Sequence, residues 1–110
     1  MDSSGLFGYT DPCIFGDSIP ITSVVSDQTS AMFGECCFEP GDIKVTMGTG
    51  TFIDINTGSI PHASISGLYP LIGWKIKSEL VYVAEGLISD TGTIMDWCKS
   101  LSMYEDVTET

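Results

Sequence analysis

Two short motifs in this 110-residue chain carry groups that could do chemistry together. The first is the pair Asp27-Gln28, which follows a short apolar run rich in β-branched residues. The second is Gly48-Thr49-Gly50, a glycine-rich break between two apolar segments. A carboxylate can accept a proton from a hydroxyl group, and a turned, glycine-rich backbone can aim N–H groups at an anion. The motifs therefore suggest one group that takes a proton and another that holds a phosphate.

Each motif also has a purely structural interpretation. Aspartate is a common helix N-cap, in which case Gln28 is a solvated residue of the first turn. A Gly-x-Gly triplet is a weak signal that also fits a plain β-turn. Phe52, which follows in the next strand, then becomes an ordinary core residue. From spacing alone these interpretations stay open beside the chemical ones.

Two further motifs imitate the signatures of hydrolases. Asp90-Thr91-Gly92 matches the catalytic triplet of aspartic proteases, but only 18 residues follow it, too few for the rest of a protease half. Gly16-Asp17-Ser18 resembles the first block of the GDSL esterases, whose serine needs a histidine base. His62 is the one histidine of the sequence and lies in a predicted loop without the required spacing. Both hydrolase interpretations are therefore disfavoured.

The elements that must position these motifs are strands and helices in a mixed α/β pattern. Residues 1–18 are rich in Gly, Asp, Ser and Pro, which predicts loop. Apolar patterning predicts a buried strand over 19–25 and further strands over 43–48, 51–56, 68–76 and 79–84. Helices are predicted over 28–37, capped by Ser26 or Asp27, and over 86–101. The acidic tail from residue 105 to 110 is expected to fray.

Charge and composition exclude several classes of function. Four lysines, no arginine and fifteen acidic residues give a net charge of −11, which repels nucleic-acid phosphates and anionic membranes. No apolar run reaches the length of a membrane span, and the first residues lack the features of a signal peptide, so a cytoplasmic location is expected. The cysteines show no C-x-x-C spacing, which predicts reduced thiols and no protein-bound metal. These are Cys13, Cys36, Cys37 and Cys98.

The order of the motifs resembles the glycerol kinase branch of the FGGY carbohydrate kinases. Those enzymes carry an Asp-Gln pair before an Ala-rich helix that ends in Phe-Gly, then a Gly-Thr-Gly-x-Phe strand break and an Asn-Thr-Gly. This chain has Asp27-Gln28, Phe33-Gly34, Gly48-Thr49-Gly50-Thr51-Phe52 and Asn56-Thr57-Gly58 in the same order. The amino-acid sequences of residues 30–37 and 69–76 most resemble those of a divergent animal subgroup of this family. The resemblance covers roughly residues 18–100, and its specificity lies in the run of matches.

The resemblance implies a reaction and a role for each site residue. The reaction would transfer the γ-phosphate of ATP to a hydroxyl of glycerol or a related polyol, with Mg²⁺ bridging the phosphates and held through water on Asp27. Asp27 would be the general base, and Gln28 and Phe52 would contact the polyol. The nucleotide would be contacted by Thr49, Gly50, Gly92 and Asp96.

The resemblance also implies a partial actin-like, ribonuclease H-like kinase fold. Residues 1–40 would end the first domain of such a kinase, and residues 41–110 would begin the second. The family's other phosphate loop and its adenosine loop have no counterpart here, so we expect an internal fragment with negligible kinase activity of its own. The alternative is a non-catalytic truncated product that pairs with itself or docks on full-length kinase subunits through exposed strand edges. A third possibility is an incomplete gene model, a sequence with no independent role in the cell.

Overall fold

The computed structural model describes residues 2–65 and 67–103, which form two antiparallel sheets and three helices. The chain order is β1 (Ser4–Tyr9), α1 (Pro12–Phe15), β2 (Pro20–Ser23), α2 (Asp27–Gly34), β3 (Ile43–Met47), β4 (Thr51–Gly58), β5 (Tyr69–Ile76), β6 (Glu79–Ile88) and α3 (Thr91–Ser100). β1 and β2 form a two-stranded ribbon, and the larger sheet has the order β3-β4-β6-β5. The mixed α/β class predicted from the sequence is confirmed.

The N-terminal prediction of loop is wrong. Residues 4–9 form β1, which pairs with β2 across a register shift between Ser4 and Gly8 that interrupts any regular alternation. Residues 12–15 form α1, where Asp11 Oδ1 accepts a hydrogen bond from the Cys13 backbone N–H at 2.8 Å and Pro12 occupies the first helical position. The strand predicted over 19–25 exists as β2, but its side chains are exposed rather than buried.

The remaining elements agree with the predictions except at their boundaries. α2 follows Ser26 as predicted and ends three residues earlier, at Gly34. β6 runs on to Ile88, so that α3 begins at Thr91 rather than at residue 86. Residues 86–88 pair with residues 51–53 of β4, and this ladder overrides the local helical pattern. The predicted fraying of residues 105–110 lies outside the described residues.

The core lies between α2 and one face of the larger sheet. Five apolar side chains of the described residues are buried, namely Met32, Trp74, Val81, Val83 and Ala84. Trp74 meets Phe33 and Phe38 edge to face, with ring centroids 5.2 and 6.2 Å away, and Phe33 and Phe38 are 5.0 Å apart. Such aromatic pairs stabilise a fold by more than the burial of their apolar area alone. This cluster fixes the helix on the sheet.

Much apolar surface remains uncovered elsewhere. Ile43, Val45 and Met47 of β3 are 53–73% exposed, and Trp97 of α3 is 60% exposed. The radius of gyration is 18.7 Å, whereas a compact chain of this length has about 13 Å. No helix among the described residues is long and apolar enough to cross a bilayer. The segment is thus more open than a self-contained domain of its size.

Trp74→Ala should destabilise the fold by about 3–5 kcal/mol, because it removes the centre of the aromatic cluster and leaves a cavity. Urea denaturation followed by far-UV circular dichroism measures the change. The matched control is Trp97→Ala, which removes an exposed indole and should alter stability by less than about 0.5 kcal/mol. Equal losses in the two variants would show that the cluster does not hold α2 on the sheet.

Candidate functional site

The first turn of α2 presents the predicted base to solvent. Asp27 is the first residue of the helix and is exposed, and its Oδ1 accepts a hydrogen bond from the Gln28 backbone N–H at 2.8 Å. Ser26 is the N-cap, but its hydroxyl lies 2.8 Å from the Thr29 hydroxyl and does not cap the backbone. Asp27 is therefore an accessible carboxylate at a helix N-terminus, with one oxygen engaged locally.

Gln28 points from α2 to the sheet and is half-buried. Its Oε1 accepts hydrogen bonds from Lys44 Nζ at 2.7 Å and from Thr46 Oγ1 at 3.2 Å. Lys44 Nζ also donates to the Gln28 backbone oxygen at 3.0 Å. The structural interpretation of Gln28 as a solvated residue is therefore wrong, since three hydrogen bonds attach it to β3.

A buried charged pair lies beneath this contact. Lys44 Nζ is 3.0 Å from Asp54 Oδ2, and the two side chains are only 5% and 0% exposed. They are direct partners across β3 and β4, and Glu85 of β6 pairs with Asp54 on the other side. The sequence analysis did not identify these residues. The available signal was the opposite charge of Lys44 and Asp54 at positions that a tight hairpin turn places opposite each other.

Glu85, the cross-strand partner of Asp54, is a weaker acid than an ordinary glutamate. Burial first, and then the negative charge of Asp54, raise the pKa of Glu85 above its ordinary value of 4.5. The Asp27 charge adds to this rise in pKa, and the Lys44 charge opposes it. Both Asp54 side-chain oxygens are buried, and neither has a hydrogen-bond donor with good geometry among the described residues.

The turn at Gly48-Thr49-Gly50 is joined to the start of α3. The Gly92 backbone N–H donates to the Thr49 backbone oxygen at 2.8 Å, and the Thr51 and Thr91 hydroxyls are 2.7 Å apart. A Cβ atom on Gly92 would lie 3.0 Å from Thr49 Cα, and one on Gly50 would lie 2.9 Å from the Ile88 backbone oxygen. Glycine at both positions allows this close approach. The structure thus brings together Thr49, Gly50 and Gly92.

The other two predicted site residues lie beside these groups. Phe52 is half-buried in β4 and is the cross-strand partner of Thr46, the residue that bonds Gln28. Asp96 is exposed on α3, four residues after Gly92. The roles of all seven predicted site residues in binding or catalysis stay predictions. What the structure shows is two groups of residues, one around Gln28 and one around Thr49, and both contact the β3–β4 hairpin.

A cavity of about 350 Å³ lies elsewhere, between the β1–β2 ribbon, α2 and β5. Its lining includes Val25, Phe33 and Trp74 but none of the predicted site residues. The described residues contain no cluster of three or more His, Cys, Asp or Glu side chains that could hold a metal ion. The candidate site is therefore the exposed start of α2 with the adjoining hairpin, and not this cavity.

Glu85→Gln should remove a pH dependence of stability that the unmodified chain shows. Because the folded chain binds the Glu85 proton more tightly than the unfolded chain does, the stabilisation is fully present below about pH 4.5 and is lost as pH rises through the raised pKa. Urea denaturation at a series of pH values measures this slope. Glu79→Gln, at the exposed start of the same strand, is the control and should keep the slope. An unchanged slope in Glu85→Gln would contradict the assignment.

Comparison with known proteins gives consistent matches. The chain is 58% identical over 110 residues to "Glycerol kinase 5" of Danio rerio and 55% identical over 109 residues to that of Homo sapiens, covering 100% and 99% of this chain. It superimposes on the crystal structure of Plasmodium falciparum glycerol kinase with ADP with a TM-score of 0.83 and 32% identity over 96% of this chain, and it covers 22% of that one. No protein-family model matches the chain.

These matches confirm the resemblance and the partial actin-like kinase fold expected from it. The chain spans 21% of the length of each of the two glycerol kinase 5 relatives. Because more than half of all residues are identical over the full chain and the fold is shared, this chain is homologous to one segment of the glycerol kinases, a segment that makes up about a fifth of their length.

Proposed function

We propose that this chain is a segment of an ATP-dependent kinase that phosphorylates glycerol or a related polyol. The observation that carries the proposal is the hydrogen bond of 3.2 Å between Gln28 and Thr46, which ties the start of α2 to the hairpin whose turn contacts α3. This contact joins the residues expected on the polyol side to those expected on the nucleotide side. The proposal also rests on the names of the similar proteins, which are glycerol kinases, one of them solved with ADP.

The chemistry follows from the placement of an exposed carboxylate. A polyol hydroxyl would donate a hydrogen bond to Asp27 and transfer its proton there as its oxygen forms a bond to the γ-phosphorus. The bond from that phosphorus to the β,γ-bridging oxygen breaks, and ADP leaves. Phe52 would pack against the carbon chain, while Thr49, Gly50, Gly92 and Asp96 would face the nucleotide.

Magnesium fits this segment only as an ion carried by the nucleotide. Asp27 is a single exposed carboxylate, and the described residues offer no set of three acidic or imidazole ligands around it. Mg²⁺ commonly keeps several waters and binds through one or two carboxylates together with substrate phosphates. Asp27 would hold it through water. When bound, the ion would neutralise charge on the phosphates.

A non-catalytic docking role is the second candidate, and exposed apolar surface favours it. β3 is an edge strand of the larger sheet with exposed Ile43, Val45 and Met47, and the apolar side chains of α3 are also uncovered. Edge strands and apolar patches of this kind are surfaces for other polypeptides. The occupant would be a full-length kinase subunit or a second copy of this chain.

Kinase activity is tested in a chimera, in which this chain replaces the matching segment of the full-length Danio rerio relative. We expect the chimera to phosphorylate glycerol with ATP and the isolated chain to show no turnover, since phosphoryl transfer needs groups from several sides. Asp27→Asn in the chimera should lower kcat about 100- to 10,000-fold, with KM for ATP nearly unchanged.

Glu35→Gln, at the exposed end of the same helix, is the matched control and should retain activity. Full activity in Asp27→Asn would contradict the base assignment. An inactive chimera, together with binding of the isolated chain to the full-length relative in a pull-down, would favour the docking role instead.

A further inference from the structure

The ammonium group of Lys44 is surrounded by oxygen atoms on three sides. The Gln28 Oε1, the Gln28 backbone oxygen and Asp54 Oδ2 lie 2.7, 3.0 and 3.0 Å from Nζ. A lysine ammonium has three N–H donors and no acceptor. Both Gln28 oxygens accept a hydrogen bond from Lys44, and Asp54 Oδ2 lies at ion-pair distance from the same ammonium.

This arrangement decides which end of the Gln28 amide faces the sheet. Lys44 can only donate, so the atom beside it must be the amide oxygen and not the nitrogen. The Thr46 hydroxyl donates to the same oxygen at 3.2 Å. The amide nitrogen Nε2, with its two N–H groups, is therefore on the opposite side, and no described residue accepts a hydrogen bond from it.

The position of Lys44 is itself fixed by its buried partner Asp54 in β4. Its side chain is 5% exposed and that of Asp54 is fully buried, and the two occupy directly opposed positions of β3 and β4. Removing one partner of such a pair leaves a buried charge without compensation, which is strongly destabilising. A flip of the Gln28 amide would place N–H groups against this anchored ammonium.

We propose that Lys44 is a positioning residue that holds the Gln28 amide so that Gln28 can only donate hydrogen bonds to a ligand at the start of α2. The ligand part of this inference rests on the proposed polyol kinase function. Asp27 next to it can only accept while ionised, so the pair offers one acceptor and two donors. A hydroxyl group can satisfy both, since it donates its proton and accepts at its oxygen. An ammonium group can only donate, so an aminated polyol would leave the Gln28 N–H groups unpaired and facing a positive charge.

The first experiment records the ¹H–¹⁵N signals of the Gln28 side-chain amide in the 110-residue chain without ligand, assigned by their loss in Gln28→Glu. Lys44→Met alone would leave Asp54 buried and unpaired, so the informative variant combines Lys44→Met with Asp54→Asn. The matched control is Lys75→Met, which removes a half-exposed lysine paired with Asp2.

We expect the Gln28 amide signals to move to the values of a free glutamine side chain in the double variant. The same signals should stay in place in Lys75→Met, and the backbone signal of buried Val83 should stay in both. Unchanged Gln28 signals in a folded double variant would overturn the role of Lys44. This result does not depend on any ligand.

The second experiment measures substrate choice in the chimera with glycerol and with 3-amino-1,2-propanediol and 2-amino-1,3-propanediol. Gln28→Glu keeps an oxygen for Lys44 and Thr46 but replaces the ligand-facing NH₂ by a carboxylate oxygen. We expect kcat/KM for glycerol to fall about tenfold, as for one lost hydrogen bond. The ratio of kcat/KM for one amino compound to that for glycerol should rise about tenfold or more. KM for ATP should not change.

The two experiments separate the inference from the function on which its ligand depends. An unchanged ratio of amino compound to glycerol in an active Gln28→Glu chimera would overturn the donor-only assignment. A wild-type chimera that phosphorylates neither alcohol nor amino compound would overturn the proposed function and its substrate rule. In that event the NMR result still decides whether Lys44 orients Gln28.

Discussion

The geometry of the candidate site depends on one buried ion pair. Lys44 and Asp54 face each other across β3 and β4 with hardly any exposure to solvent, and the cost of taking two charges out of water is large. A hydrophobic pair at these positions would also complete the sheet, so stability alone gives no reason for charges there. The ammonium group contributes orientation instead. It donates hydrogen bonds to the backbone oxygen and to the side-chain oxygen of Gln28, and it thereby sets how the start of α2 packs on the hairpin.

The same hairpin carries a second attachment at its far end. Its turn accepts a hydrogen bond from Gly92, and Thr51 at the start of β4 contacts Thr91, so that α3 starts beside the turn. One hairpin therefore contacts both groups of candidate-site residues, with α2 near its middle and α3 at its turn. By contrast, α2 packs on the sheet through a small aromatic cluster, and the outer faces of β3 and α3 remain apolar and exposed. The segment is therefore linked by hydrogen bonds around the site, while its outer faces leave apolar surface on which other polypeptide could pack.

The sequence predicted the hairpin, α2 and the positions of the main motifs because each has a local cause. Glycines mark the turn, alternation marks the strands, and Ser26 with Asp27 marks the helix start. β1 was not predictable in this way, since its alternation is interrupted by a register shift and its residues are typical of loops. The start of α3 was wrong because residues 86–88 satisfy their backbone groups by pairing with β4. Lys44, Asp54 and Glu85 went unnoticed because a charged residue inside a strand is ordinarily expected on the solvent face.

The pattern of burial in β4 shows why that expectation failed. Asp54 and Asn56 are the deeply buried residues of this strand, whereas Ile53 and Ile55 on the opposite face are only half-buried. Asn56 has a structural reason, because it donates to the Cys37 backbone oxygen and accepts from the Gly58 backbone N–H. Asp54 makes no such backbone contact and serves only Lys44 and Glu85. Because the Asp54 side chain bonds no backbone group, its place in the core is explained by its ion pair with Lys44, which holds that ammonium beside Gln28.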